Sequence, residues 1–144
     1  MNPENRTYAY FSLIEPDFDP AEITRRLGIE PSDSWRKGDP HPKIFGAYRK
    51  FSRWSLKSRL PASANLKDHV VDVLDQMDAK KESFCSVLSE FKGELQLVGY
   101  FELHYPGFGL PASSTERIGF YRLSLDCDFY YLYSNEREDT DHHS

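Results

Sequence analysis

Residues 17–40 read DFDPAEITRRLGIEPSDSWRKGDP, and the punctuation of this stretch decides the fold around it. Asp19-Pro20 opens a helix. Asp19 offers an oxygen to the first free amides, and Pro20 takes a position where no N–H is needed. Ile23 and Leu27 sit four apart and make one apolar stripe. Gly28 suits the left-handed position that stops a helix. Glu30-Pro31-Ser32-Asp33 is turn chemistry, Ser34-Trp35-Arg36 a brief extended segment, and Lys37-Gly38-Asp39-Pro40 a second turn.

Outward from this connection the chain alternates strands and helices. Thr7 to Ile14 is short, apolar and aromatic-rich, which predicts a central strand covered on both faces. Tyr48 to Ser58 alternates: Tyr48, Ser52, Trp54 and Leu56 share one face, with Arg49, Phe51, Arg53 and Lys57 on a basic outer face. Asn65 is placed to cap a helical region whose stripe runs Leu66, Val70, Val73, Leu74, Met77, Phe84, Val87, Leu88 and Phe91. It reads equally as one helix or two, closed by Gly93. Glu94 to His104 predicts a third strand. Ser113 and Glu116 have capping-box spacing, which predicts a short helix to about Arg122. Leu123 to Tyr133 predicts the last strand, and residues 134–144 a charged, disordered tail.

At 144 residues the chain suits one domain, residues 1–133, with enough length for a core of its own. The expectation is an α+β fold: a mixed or antiparallel sheet of about four main strands covered by helices, in a ferredoxin-like or duplicated β-α-β arrangement. Cys85 and Cys127 form no close pair, so neither a disulfide framework nor a zinc site is expected. The N-terminus lacks a signal-peptide pattern, and no apolar run reaches the roughly 20 residues that span a bilayer. A cytoplasmic protein without membrane contact is expected.

The net charge of −5 hides an asymmetry. Between Arg25 and Lys67, eleven Lys or Arg stand against Glu30, Asp33 and Asp39, so this stretch is +8 and the rest −13. Such segregation either makes one basic face or leaves solvated cations around a strand.

The combination of Asp17-Phe18-Asp19-Pro20, Ile23-Thr24, Leu27-Gly28-Ile29, Pro31 and Arg36-Lys37-Gly38-Asp39 resembles the bacterial domain-of-unknown-function family numbered 4279. A Trp-containing strand at Trp54, a helical middle, and a last strand with Asp126 and Asp128 extend the resemblance over roughly residues 7–133. It implies the fold and carries no catalytic residues.

The candidate binding residues are Trp35, Arg36, Lys37, Asp39, Arg49, Arg53 and Trp54. In the functional reading, Arg36 grips a carboxylate or phosphate, with the Gly-loop amides assisting. In the structural reading, Asp19 caps a helix while Arg36 or Asp39 pins two loops. Aromatics interleaved with cations also suit single-stranded nucleic acid or an acidic protein. Asp126 and Asp128 share a strand face as a weak metal pair or as cross-strand partners of the basic strand. His104 has no identifiable nucleophile beside it. No catalytic constellation, metal site or cofactor is expected. The leading expectation is a non-enzymatic module that binds another protein, as inhibitors, immunity-type and counter-defence proteins do, or a second copy of itself. The alternative is a small anionic ligand or single-stranded nucleic acid held by the Arg36–Asp39 loop and the Trp54 strand.

Overall fold

The computed structural model describes residues 4–104 and 107–132. The strands are β1 (Arg6–Glu15), β2 (Asp33–Trp35), β3 (Ser52–Lys57), β4 (Gly93–Phe101) and β5 (Ser124–Tyr131). The helices are α1 (Pro20–Leu27), α2 (Leu66–Asp78), α3 (Lys81–Leu88) and α4 (Ala112–Phe120). One mixed sheet runs β2-β3-β1-β4-β5, so the fold is α+β with the first strand at its centre. The predicted tail lies outside the described residues.

The connection of residues 17–40 forms as its chemistry dictates. Asp19 Oδ1 accepts from the Ala21 amide at 3.1 Å. Ile23 and Leu27 are buried, and Gly28 closes the helix at φ 69°, a left-handed backbone that a side chain would strain. The helical middle is two helices broken at Ala79-Lys80, both feeding one core. Three expected terminators differ. Asn65 sits at the start of α2 without a side-chain cap. Pro111, not Ser113, occupies the cap position of α4, so the Ser113–Glu116 box does not form. Gly93 stops no helix. It opens β4, where an added Cβ would lie 2.6 Å from Leu88 and 2.8 Å from Leu123.

The strand that follows α1 is β2, and both β1 and β2 run antiparallel to β3, so β1-α1-β2 joins two parallel strands, as β4-α4-β5 does. β3 and β4, joined through α2 and α3, are both antiparallel to β1 and so are parallel as well. The order β2-β3-β1-β4 with these crossovers is the expected ferredoxin-like arrangement, to which α4 and β5 are added at one edge. The other edge is the three-residue strand β2.

Among the described residues only one face of the sheet is covered, which corrects the expectation that β1 is enclosed on both sides. Leu56 pairs with Phe11, Trp54 with Leu13, and Leu95 with Phe11. These apolar rows face α1–α4 and are buried with Val70, Leu74, Met77 and Phe84. Phe11 packs edge-on against Trp54 and Phe84, at centroid distances of 6.1 and 5.3 Å. The opposite rows carry Tyr8, Tyr10, Arg53, Lys57, Gln96 and Tyr100, all half-buried. The β1 stretch reads as continuously apolar only because tyrosine counts as both apolar and wet.

Candidate functional site

Of the predicted site residues, Trp54 goes to the covered side. It is fully buried, and its Nε1–H donates to Thr24 Oγ1 at 3.0 Å. Period-two alternation therefore sends Trp54 and Arg53 to opposite faces, and no ligand touches both.

The Arg36–Asp39 loop is internally satisfied. Asp39 Oδ2 accepts from the Arg36 amide at 2.8 Å, and the Asp39 amide donates to the Arg36 carbonyl at 2.9 Å. The Lys37 amide donates to Ser52 Oγ at 3.0 Å, and the Gly38 amide to the Arg49 carbonyl at 2.9 Å. All four amides are occupied, so no anion cradle is left. Arg36 Nε donates to Asp17 Oδ1 at 3.2 Å. Ser52 Oγ also receives the Phe18 amide at 3.1 Å and donates to Asp17. This loop pins the approach to α1 onto the start of β3, as the structural reading holds.

The remaining candidates converge at the other face. Trp35 on β2 is half-buried, with the Arg49 guanidinium 3.7 Å from its ring centroid and that of Arg53 at 5.6 Å. Phe51 packs beside it at 5.8 Å. The Trp35 ring thus has two cations within cation–π range, a favourable arrangement for an indole. Between Pro40 and Tyr48 the chain forms a hairpin-like loop that carries Phe45 fully exposed and Ile44 and Tyr48 largely so. The expected strand from Tyr48 begins only at Ser52, because Asp39, Gly38 and Arg49 bond each other across this loop instead.

Arg53 occupies the middle of the uncovered face. Its Nε donates to Ser55 Oγ at 2.7 Å, and Nη2 donates to Gln96 Oε1 at 2.8 Å and Ser12 Oγ at 3.2 Å. Three neutral oxygens orient the guanidinium, and among the described residues no carboxylate lies within ion-pair distance of it. It faces a shallow hollow of about 340 Å³ lined by Tyr10, Asp33, Gln96, Tyr100, Asp128 and Tyr130. Burial first, and then Tyr8, pushes the Tyr10 phenol up, so it presents a neutral hydroxyl. Tyr100 and Tyr130 stack at 5.0 Å with an 11° tilt, and Arg6 lies 5.0 Å over Tyr100. Lys57 lies 4.1 Å from the Tyr8 centroid. Ser12, Tyr10, Gln96, Tyr100 and Tyr130 were missed from sequence. Their signal was the alternating polar row on each strand, but only the cross-strand register assembles those rows.

The basic stretch does not make one face. Arg26 turns to Glu90, Arg36 to Asp17 and Arg59 to Asp72, while Arg49, Arg53 and Lys57 serve the aromatic face. Asp126 and Asp128 do share a face, but β4 separates them from β1 and β3, so they do not pair with the basic strand. Among the described residues no group of three or more His, Cys, Asp or Glu could hold a metal ion. Burial, and then the charges of Asp126 and Asp128, push the Cys127 thiol up, which disfavours a nucleophilic thiolate.

Compared with known families, the chain matches the one described as Domain of unknown function (DUF4279) over residues 5–132. Neither a curated protein nor a solved structure matches it. No described helix is long and apolar enough to cross a membrane.

Proposed function

We propose that this chain, which belongs to the DUF4279 family, is a non-enzymatic module that binds another protein through the uncovered face of its sheet and the adjoining 40–51 loop. One observation carries the reading. The bare face gathers Trp35, Tyr8, Tyr10, Tyr100 and Tyr130 around an oriented Arg53, beside a loop that leaves Phe45 fully exposed. Trp, Tyr and Arg dominate the energetics of protein interfaces, because rigid rings bury area at low entropic cost and Arg adds directed donors. On this reading the module acts in the cytoplasm as an inhibitor or immunity-type protein, masking a partner's surface rather than transforming a substrate.

The test is capture of partners from a host lysate by the wild-type chain, by Phe45→Ser and by Arg53→Ala, at two salt concentrations. Specific proteins should be retained by the wild type and lost with either variant, with the melting temperature of Phe45→Ser unchanged and that of Arg53→Ala lowered, because it removes three hydrogen bonds, but still well above the capture temperature. Equal capture by all three removes the uncovered face from the reading. The specific support for a second reading, a small anionic ligand, is that Arg53 is held by neutral groups and faces a hollow. Titration with inorganic phosphate and with acetate, followed by the Arg53 Nε–H resonance, separates the two.

A further inference from the structure

The outer edge of the sheet carries a second surface, which adjoins the Arg53 hollow and shares Asp128 and Tyr130 with it. β5 is the terminal strand, eight residues long, and among the described residues no strand pairs with its outer side. Natural edges are usually blunted by Lys, Pro, a bulge or a covering element, because unpaired ladder groups template new pairing. The SLDCDFYY of β5 contains neither Lys, Pro nor Gly. α1 and α2 lie over β3, β1 and β4, while β5 is packed mainly through Phe129, against Phe101 and Phe108. Leu125 remains 48% exposed on the helix side, and Phe120, five residues earlier at the end of α4, is 55% exposed.

The two faces of this edge differ chemically. Leu125, Cys127, Phe129 and Tyr131 form the helix-side row. Asp126 and Asp128 form the other row and pair in register with Gln96 and Val98 of β4. Glu94 lies on the same side, and burial followed by the nearby charge of Asp126 pushes its carboxyl above the ordinary range. This crowding marks a local excess of negative charge that β4 and β5 do not neutralise.

We infer that the β5 edge accepts an extended segment of a partner protein in which apolar residues alternate with Lys or Arg. Ladder hydrogen bonds would hold the segment, as in strand addition generally. Its apolar side chains would lie against Leu125 and Phe129. Its cations, two residues apart, would meet Asp126 and Asp128, whose spacing along the strand is about 6.6 Å at 3.3 Å per residue. Charge selects this occupant over two others. Antiparallel pairing of β5 with β5 of a second copy, centred on Cys127, would set acid opposite acid, which destabilises a cross-strand pair. Residues 133–144 carry Glu136, Glu138, Asp139 and Asp141 against Arg137, so the chain's own downstream segment has the same sign as the edge. The inference rests on the protein-binding reading and adds to it a second contact surface and the chemistry of its partner.

The test uses the full chain and two synthetic probes, the octapeptides (Lys-Val)4 and (Glu-Val)4. Binding is followed by fluorescence anisotropy and by amide hydrogen exchange. The basic peptide should bind, slow exchange at the β5 amides that β4 does not engage, and weaken with added salt. Asp126→Asn combined with Asp128→Asn should weaken it about fivefold, as expected for two exposed charge pairs. Both positions are on the sheet surface, so the variant's unchanged melting curve serves as the control. Equal binding of the two peptides overturns the proposal. So does a wild-type chain that sediments as a dimer with β5 already protected. Protection confined to the 40–51 loop and the Arg53 face also overturns it, and leaves the protein-binding reading standing. The latter fails separately, if Phe45→Ser and Arg53→Ala leave partner capture unchanged.

Discussion

Replacing Trp54 tests most directly whether β3 sends its tryptophan into the core or to a ligand. Trp54 is fully buried, meets Phe11 edge-on, and donates its indole N–H to Thr24 Oγ1 at 3.0 Å. Trp54→Ala removes the whole side chain from a site with little room to collapse, at a cost of about 3–5 kcal/mol. For a domain of this length 1 kcal/mol moves the melting temperature by roughly 3–4 °C, so the variant should melt about 10–20 °C lower. Trp54→Phe keeps a ring but loses the donor and should cost about 1–2 kcal/mol. Thr24 is half-buried, and water can replace part of the lost bond. A double-mutant cycle of Trp54→Phe with Thr24→Val should give a coupling of about 0.5–1.5 kcal/mol. Urea unfolding followed by far-UV circular dichroism measures each term without relying on the mutated fluorophore. A Trp54→Ala loss below about 1 kcal/mol would refute the assignment. So would ready acrylamide quenching of Trp54 in a Trp35→Phe background.

Three further outcomes follow from buried groups. His69 is fully buried, with Nδ1 2.5 Å from Ser58 Oγ, and burial pushes its pKa down. The unfolded chain then binds the proton first, near pH 6.5, so stability is complete above that pH and falls as pH drops toward the lower folded value. His69→Gln should flatten this slope in denaturant titrations from pH 7.5 to 5. Burial alone would raise the Asp78 pKa, but the Tyr121 hydroxyl at 2.5 Å and Arg117 at 2.8 Å outweigh it and hold the carboxyl low. Tyr121→Phe should cost about 1.5–3 kcal/mol by thermal melting, and Asp78's contribution should fade only as pH falls below 3.8. Gly93→Ala forces a Cβ to 2.6 Å from Leu88, 2.8 Å from Leu123 and 3.0 Å from Phe11, and should cost about 1–3 kcal/mol in urea unfolding. A neutral Gly93→Ala would mean that the Leu88 and Leu123 side chains yield freely.

Local chemistry was legible wherever it acts within a few residues. Asp19, Pro20, Ile23, Leu27 and Gly28 each do what their type and spacing require, because capping and helix termination involve only neighbouring backbone groups. The helix-side row of β3, with Trp54 and Leu56, was legible for the same reason, since side chains alternate along any strand. Misreadings arose where one residue type serves two ends. Tyr8 and Tyr10 looked like core but line the uncovered face. Gly93 looked like a helix stop but makes room for Leu88 and Leu123. Arg36 and Asp39 read both as a ligand cradle and as a pin between loops, and only the structure shows their amides and charges spent on Asp17, Ser52 and each other.

From the sequence alone came the α+β class, the capped first helix, the apolar stripes and the central place of the first strand. These depend on short-range backbone geometry and on the period of apolar residues. The tertiary structure alone decided which face stays bare, which strand lies at the edge, and which side chains meet. Strand order placed β1 and β4 between the basic strand and Asp126 and Asp128, so Arg53 and Asp128 line one hollow without forming an ion pair. Register brought Ser12, Ser55 and Gln96 around Arg53 from three strands as far as 84 residues apart in sequence. Such contacts are fixed by long-range pairing, and no local pattern encodes them.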